Sequence, residues 1–263
     1  MISLLIIIIS SFIAVALSIS FFNIKNKSYF SNKSHNNLKF YVISIEKSAN
    51  LRRNNIINLS NIIKTGFNKD VMISGIDGSK LSSHNIKMLK KLGIYRKDNF
   101  KKNLKNNKYL TDGEFGCFLS HLQIWEDMVE NNIKHAVVFE DDAKIDQNFK
   151  DKLDIVYKNL PEDFTWISLY NFPHNFQKDI IKELDSYNDF LYKLNNPEIW
   201  GTTCYLISLK GAKILNNSIL PIKNAVDEAI MAFCSENDGC YMTKASLVDL
   251  SDKFSTANGY IRP

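Results

Sequence analysis

Short apolar runs of β-forming residues alternate with segments of helical periodicity along most of this sequence, and that alternation predicts an α/β fold around a mainly parallel sheet. Two local features strengthen it. Val137-Val138-Phe139 reads as a buried strand that breaks at once into Glu140-Asp141-Asp142. Thr111 to Asn131 carries the cap and the apolar stripe of a long helix. The chain of 263 residues is long enough for one large domain with its own core. With 45% hydrophobic residues, 10 Gly and 5 Pro it is neither disordered nor collagen-like. Four scattered cysteines make no disulfide framework, and a net charge of +5 falls short of a polybasic chain.

Ile2 to Phe22 holds no charged side chain and contains Leu4-Leu5-Ile6-Ile7-Ile8-Ile9. About 20 apolar residues cross a bilayer as a helix, so residues 1–22 are read as a single-pass transmembrane anchor. A cleaved signal peptide is the competing reading, because Ala14-Val15-Ala16 has the small-x-small form of a cleavage site. Lys25, Lys27, Lys33 and Lys39 follow the span and favour a cytoplasmic C-terminal domain in a bacterium, whereas a eukaryotic Golgi or ER setting would place it in the lumen. Residues 23–38 are polar and read as a stalk, which leaves 39–263 as the folded domain.

Within that domain Phe40 to Ile45 is a strand, Ala49 to Ile63 a helix, and Val71 to Ile76 a second strand closed by the turn dipeptide Asp77-Gly78. Lys80 to Lys108 carries ten Lys or Arg against one Asp. It reads as a solvated helix-and-loop surface or as a face for an anionic acceptor or lipid head groups. Thr111 and Glu114 form a T-x-x-E capping box, after which Phe115, Phe118, Leu119, Leu122, Trp125, Met128 and Val129 share one stripe. His135 to Phe139 is a strand, Asp146 to Asn159 a helix ending before Pro161, and Phe164 to Leu169 a strand. Thr202 to Ser208 alternates like a strand and runs into a helix over Leu209 to Asn217. A helix then follows Pro221, and Tyr241 to Val248 is the last strand.

Ligands of open α/β sheets bind beyond the carboxyl ends of the strands, which is where Glu140-Asp141-Asp142 emerges. Carboxylates so close repel one another unless a cation lies among them, and oxygen donors suit Mg²⁺ or Mn²⁺ bridging to phosphates. The triplet therefore predicts a metal–diphosphate site. Gly113-Glu114-Phe115-Gly116-Cys117, with Ser120-His121, precedes it by about one helix. Two glycines in a first turn weaken a helix, so close backbone approach is expected there. Cys117 reads as a small buried residue, and His121 as a core or supporting histidine.

Together these pieces resemble glycosyltransferase family 25, the lipopolysaccharide-biosynthesis galactosyltransferase family that includes the collagen galactosyltransferases. The resemblance rests on Gly113 to His121, Val137 to Ala143, Gly201-Thr202-Thr203-Cys204-Tyr205-Leu206-Ile207-Ser208 with Gly211-Ala212, and Val226-Asp227, in the family's order. It implies a GT-A-like nucleotide-sugar-binding fold and inverting transfer of a hexose, most often from UDP-galactose, to a saccharide, glycolipid or glycoprotein. It also implies a role for the acidic triplet as the family's DxD-like motif: Asp142 would hold Mn²⁺ (or Mg²⁺), and Glu140 would assist or contact the ribose beside Asp141. Where the family has Asn-Leu after its first strand this chain has Ser44-Ile45, with Arg52-Arg53 further on. The resemblance places Ser44, Ile45, Arg53, Asp77, Gly78, Glu114, Ser120 and His121 on the nucleotide side. It makes Asp227 the general base, with Glu228 as the alternative, although an acid in a helix's first turn is equally a cap.

Two other functions stay open on sequence. One is an inactive nucleotide-sugar- or carbohydrate-binding protein on the same scaffold; the other is a metal-dependent phosphohydrolase, a class that uses more histidine ligands than the five scattered here. Nucleic-acid binding is not expected, because the basic stretch has only Tyr95, Phe100 and Tyr109 as aromatics. Cys234 and Cys240 could pair in an oxidising lumen.

Overall fold

A computed structural model describes residues 38–94, 110–171, 181–195 and 201–250. The anchor and stalk predicted over 1–38 lie outside these residues except for Leu38, as does most of the basic stretch. Among the described residues no helix is long and apolar enough to cross a membrane.

The chain opens with β1 (Leu38–Ile43), α1 (Glu46–Phe67), β2 (Val71–Ser74) and a short 3₁₀ turn at Gly78–Lys80. Helices α2 (Ser83–Lys91) and α3 (Asp112–Glu130) lead into β3 (His135–Glu140), β4 (Ala143–Lys144), α4 (Phe149–Lys158) and β5 (Trp166–Ser168). There follow β6 (Leu191–Lys193), β7 (Cys204–Ser208), α5 (Leu209–Ser218), α6 (Val226–Glu236), β8 (Cys240–Thr243) and β9 (Asp249–Leu250).

Seven strands form one sheet in the order β2-β1-β3-β7-β5-β8-β6, and β4 pairs with β9 in a separate ribbon. The sheet is mixed: five of its seven strands run one way, in keeping with the expected mainly parallel arrangement, and β7 and β6 run against them. Strand β1 is parallel to β2 and β3, and β5 is parallel to β8, but β7 runs antiparallel to both β3 and β5, and β6 antiparallel to β8. Apolar runs buried on both faces say nothing of direction, so the sequence pattern could not separate the two cases. The consequence is functional: antiparallel pairing brings the start of β7, after Gly201, beside the end of β3, with Phe139 opposite Cys204.

Alternate side chains of these strands feed two cores. Tyr41, Ile43, Val138, Tyr205 and Ile207 pack under α3, α5 and α6, while Phe40, Val42, Val137, Phe139 and Leu206 pack under α1 and α4. Helix α1 turns Arg52, Ile56, Leu59 and Ile63 inward at helical spacing. Helix α3 begins as its sequence predicts: the Thr111 hydroxyl accepts from Glu114 N (3.1 Å) and the Glu114 carboxylate accepts from Thr111 N (2.7 Å). The described start of the basic stretch is helix α2, capped by Ser82 and Asn85, with Lys90 and Lys91 in its last turn where its dipole favours cations.

Candidate functional site

The acidic triplet sits where β3 leaves the sheet, and neighbouring backbone and side chains fix it. Glu140 N donates to Thr203 O (2.9 Å) and Asp141 N to Ile43 O (3.1 Å), so the ladder continues one step beyond the strand on each side. From α1, the Asn55 amide donates to Asp141 O (3.0 Å) and Ala143 O (2.8 Å). The three carboxylates then diverge. Asp141 turns inward, accepting from Ser44 Oγ (2.7 Å) and from Arg52 Nη1. Asp142 is buried, with Arg52 Nη2 3.9 Å from its Oδ2. Glu140 is half-buried and accepts from Thr202 Oγ1. Both oxygens of Asp141 are thus engaged by protein, and its role is to seat the turn.

The first turns of α3 make the opposite wall. A Cβ on Gly116 would lie 2.4 Å from Ile76 O and 2.5 Å from Gly78 N, and a Cβ on Gly78 would lie 1.7 Å from Asp112 O. Two backbones touch where a side chain would intervene. Ser120 secures the contact, accepting from Ile76 N (2.8 Å) and donating to Gly116 O (2.7 Å). Further along the helix Cys117 and His121 face the tip of β3. Fully buried His121 shares a hydrogen bond between Nδ1 and the Tyr205 hydroxyl (2.8 Å), which also accepts from Trp125 Nε1 (3.1 Å). Its Nε2 has no hydrogen-bond partner and lies 3.9 Å from Glu140 Oε1. Burial first, and then the charges of Glu140, Asp227, Asp142 and Asp141, push the Cys117 thiol well above its ordinary pKa.

Helix α6 closes the cluster. Asp227 stands in its first turn and accepts from Glu228 N (2.9 Å) at Oδ1. Burial, with the charges of Glu228 and Glu140, raises its carboxyl to about 6, although the Glu228 N–H pulls the other way. A disulfide between Cys234 and Cys240 (Cα–Cα 5.4 Å) ties the far end of α6 to β8.

The structure therefore gathers Glu140, Asp141, Asp142, His121 and Asp227 from three separate stretches of chain, with Glu228 half-buried beside Asp227. Ser44 joins them through Asp141, and Ile45 is half-buried just beyond it. Other expected nucleotide contacts have structural duties. Glu114 is the partner in the α3 cap, Ser120 and Gly78 belong to the backbone contact, and Asp77 accepts from Ser79 N (3.0 Å) to cap the 3₁₀ turn. Arg53 is exposed on α1, and its neighbour Arg52 is the arginine that reaches the acidic turn. Periodicity held that signal: Arg52 lies on the stripe with Ile56, Leu59 and Ile63, and Arg53 does not. Asn55 went unnoticed, and the side-chain partners of Thr202 and Tyr205, residues named only as part of the Gly201 motif, were not foreseen, because those partners are distant in sequence.

Glu140 and Asp142 offer oxygen donors within a group of carboxylates whose charges all reach Cys117, and a donor set of that kind fits Mn²⁺ or Mg²⁺. Among the described residues there is also a group of mixed donors, Cys117, His121 and Glu140, whose ligand atoms lie within 4.8 Å of one another. Among the described residues this group of donors holds the single histidine His121, short of the several that a phosphohydrolase centre uses.

Residues 37–230 match the family model described as glycosyltransferase family 25 (LPS biosynthesis protein). The chain belongs to glycosyltransferase family 25. Its relatives include the probable inactive glycosyltransferase 25 family member 3 of Bos taurus, 29% identical over 192 residues, which are 72% of this chain and 30% of the relative. Procollagen galactosyltransferase 1-B of Xenopus laevis is 33% identical over 150 residues (56% of this chain, 23% of the relative). Human procollagen galactosyltransferase 2 is 29% identical over 148 residues (55% and 22%). The chain thus spans between 22% and 30% of the length of these curated relatives.

Proposed function

We propose that this family 25 domain is a metal-dependent, inverting glycosyltransferase that moves a hexose from a nucleotide sugar, with UDP-galactose the first donor to test, to a hydroxyl of a saccharide, glycolipid or glycoprotein. The observation that carries the reading is the meeting of Asp227, from α6, with the carboxylates at the tip of β3. Glu140 and Asp142, the pair proposed to take the cation, share one cluster with a carboxyl of raised pKa at the sheet end where α/β proteins bind ligands.

Asp142 and Glu140 would hold the cation. When bound, it neutralises charge on the departing diphosphate as a Lewis acid, so the leaving group needs no proton. Asp227 takes the proton of the acceptor hydroxyl while that oxygen bonds to the anomeric carbon and the carbon–oxygen bond to the diphosphate breaks. A carboxyl titrating at about 6 is largely ionised at neutral pH yet basic enough to accept that proton. Glu228, next in the helix, is the alternative base. Gly201, at φ 111°, holds a left-handed conformation that keeps the start of β7 free of a side chain beside Thr202 and Glu140. The apolar Ile2–Phe22 segment adds the proposal of a membrane tether, consistent with a glycolipid or glycoprotein acceptor.

A panel of nucleotide sugars, assayed with and without Mn²⁺ against wild type and Asp142→Asn, tests this reading. Wild type should transfer one sugar only with metal. Asp142→Asn should lose at least about a thousandfold in transfer, several kcal/mol of charge stabilisation, with its thermal midpoint unchanged or raised. Relatives named as inactive family members favour a second reading, a nucleotide-sugar-binding domain without turnover. Metal-dependent UDP binding with no transfer from any donor would establish that alternative.

A further inference from the structure

The geometry points to a second, thiophilic metal site in this domain, in which Cys117 Sγ, His121 Nε2 and a Glu140 carboxylate oxygen bind one Zn²⁺-class ion. It shares Glu140 with the all-oxygen pair proposed for the nucleotide metal, but its thiol and imidazole donors set its ligand chemistry apart, and it does not depend on the domain being a transferase.

Three observations carry it. First, Cys117 and His121 lie one turn apart on α3, the i, i+4 spacing by which a helix presents two ligands to one ion, and Glu140 meets them from the end of β3. The three donor atoms lie within 4.8 Å of one another, and small side-chain rotations bring such a set to zinc–ligand lengths of about 2.0–2.3 Å. Second, His121 is fully buried, and its Nε2 lacks a hydrogen-bond partner while pointing toward Glu140 at 3.9 Å. Buried polar atoms are nearly always satisfied, so an unpartnered imidazole nitrogen among two other donors marks a place for a ligand. Third, the support behind the histidine is built. Its Nδ1 is 2.8 Å from the Tyr205 hydroxyl, whose oxygen is itself held by Trp125 Nε1, and the ring stacks on Tyr205 with centroids 5.6 Å apart. The tautomer that donates from Nδ1 to Tyr205 leaves the Nε2 lone pair toward Cys117 and Glu140, the arrangement by which an outer partner orients a metal-bound imidazole.

The thiol decides the class of ion. Mg²⁺ and Mn²⁺ prefer carboxylate, carbonyl and water oxygens, whereas thiolate with imidazole suits zinc. On binding, the S–metal bond replaces the S–H bond of Cys117 and the proton leaves to solvent. Glu140 retains capacity for the ion beside its hydrogen bond from Thr202, because a carboxylate offers two oxygens and about four acceptor positions. Three protein ligands leave a fourth tetrahedral position open, as zinc sites that bind water or substrate do.

The test is titration of the metal-free full chain with Co²⁺, a spectroscopic substitute for zinc. One equivalent should give the sulfur-to-cobalt charge-transfer band and strong visible bands of a tetrahedral thiolate site, and one equivalent of Zn²⁺ should abolish them. Zinc should also protect Cys117 from alkylation, mapped by mass spectrometry on wild-type protein. That measurement keeps the proposal testable if a variant misfolds. Cys117→Ser should remove the band and weaken zinc binding by about a hundredfold, and His121→Gln should weaken it at least about tenfold. Asp142→Asn should keep the band, which separates this site from the nucleotide metal and its failure from that of the transferase reading. Absence of the charge-transfer band in wild type, or zinc affinity unchanged by Cys117→Ser, would overturn the assignment.

Discussion

The first turns of α3 and the tip of β3 form two sides of one site, yet they are held by opposite means. At α3 the fit is steric: Gly116 and Gly78 bring two backbones into contact, and Ser120 satisfies the polar groups at the seam. At β3 the fit is electrostatic. Asp141 is matched by Ser44 and Arg52, while the charges of Glu140, Asp142 and Asp227 together raise the Cys117 thiol and that of Glu140 raises Asp227. The α3 seam keeps the local rules of packing and hydrogen bonding, whereas the tip breaks the rule against gathering like charges.

The largest expected effect comes from breaking the charge match at β3. Arg52→Met leaves Asp141 buried with its main ionic partner gone, a change of the kind that costs about 3–5 kcal/mol, and a lowered urea midpoint reads it. The double variant Arg52→Met with Asp141→Asn should recover much of the loss, because the penalty lies in the stranded charge. Equal loss in single and double variants would show that Arg52 acts through packing alone.

The steric wall is broken more cheaply. In a helix Gly→Ala ordinarily gains about 1 kcal/mol, but the new Cβ of Gly116→Ala would meet backbone at 2.4 Å and 2.5 Å, which cannot move aside as a side chain can. The sign should reverse, with a loss of about 2–3 kcal/mol in the same unfolding measurement. Gly66→Ala, in the last turn of α1, is the control. Its Cβ would meet only the Lys150 side chain at 3.4 Å, and a gain of about half a kcal/mol is expected. A stabilised Gly116→Ala would mean that the two backbones can separate.

These two regions also differ in how far the sequence revealed them. The α3 cap and stripe depend on residues within a few positions of one another, and Thr111, Glu114 and Phe115 to Val129 behave as their spacing predicts. Glycines in the first turn likewise announced a close backbone approach, although its partner proved to be the chain after β2 and not a ligand. The acidic triplet was legible as a strand-end cluster, but the division of labour within it was not. Nothing local distinguishes Asp141 from Asp142; what separates them is Arg52, Ser44 and Asn55, some ninety residues away on other elements. Strand direction was invisible for the same kind of reason, since β7 is apolar on both faces whichever way it runs.

Asp227 brings the comparison to its finest point, because it is a carboxyl that the fold would rather keep neutral and that the chemistry needs ionised. Its folded pKa of about 6 lies above the ordinary 3.8, so the folded state binds this proton more tightly than the unfolded chain does. Below pH about 4 both states hold the proton and the site costs nothing; between about 4 and 6 the penalty develops, and above about 6 it is complete. Asp227→Asn, neutral at every pH, should therefore match wild-type stability near pH 4 and exceed it by about 1–3 kcal/mol at pH 8. The same variant should retain donor binding while transfer falls by roughly a hundredfold or more, the scale of a lost general base. A variant that gains stability on that pH profile and keeps full turnover would leave the burial argument standing and move the base to Glu228. One that loses turnover without gaining stability would show that Asp227 is held by contacts stronger than the Glu228 N–H, and that its neutral form is not the one the fold prefers.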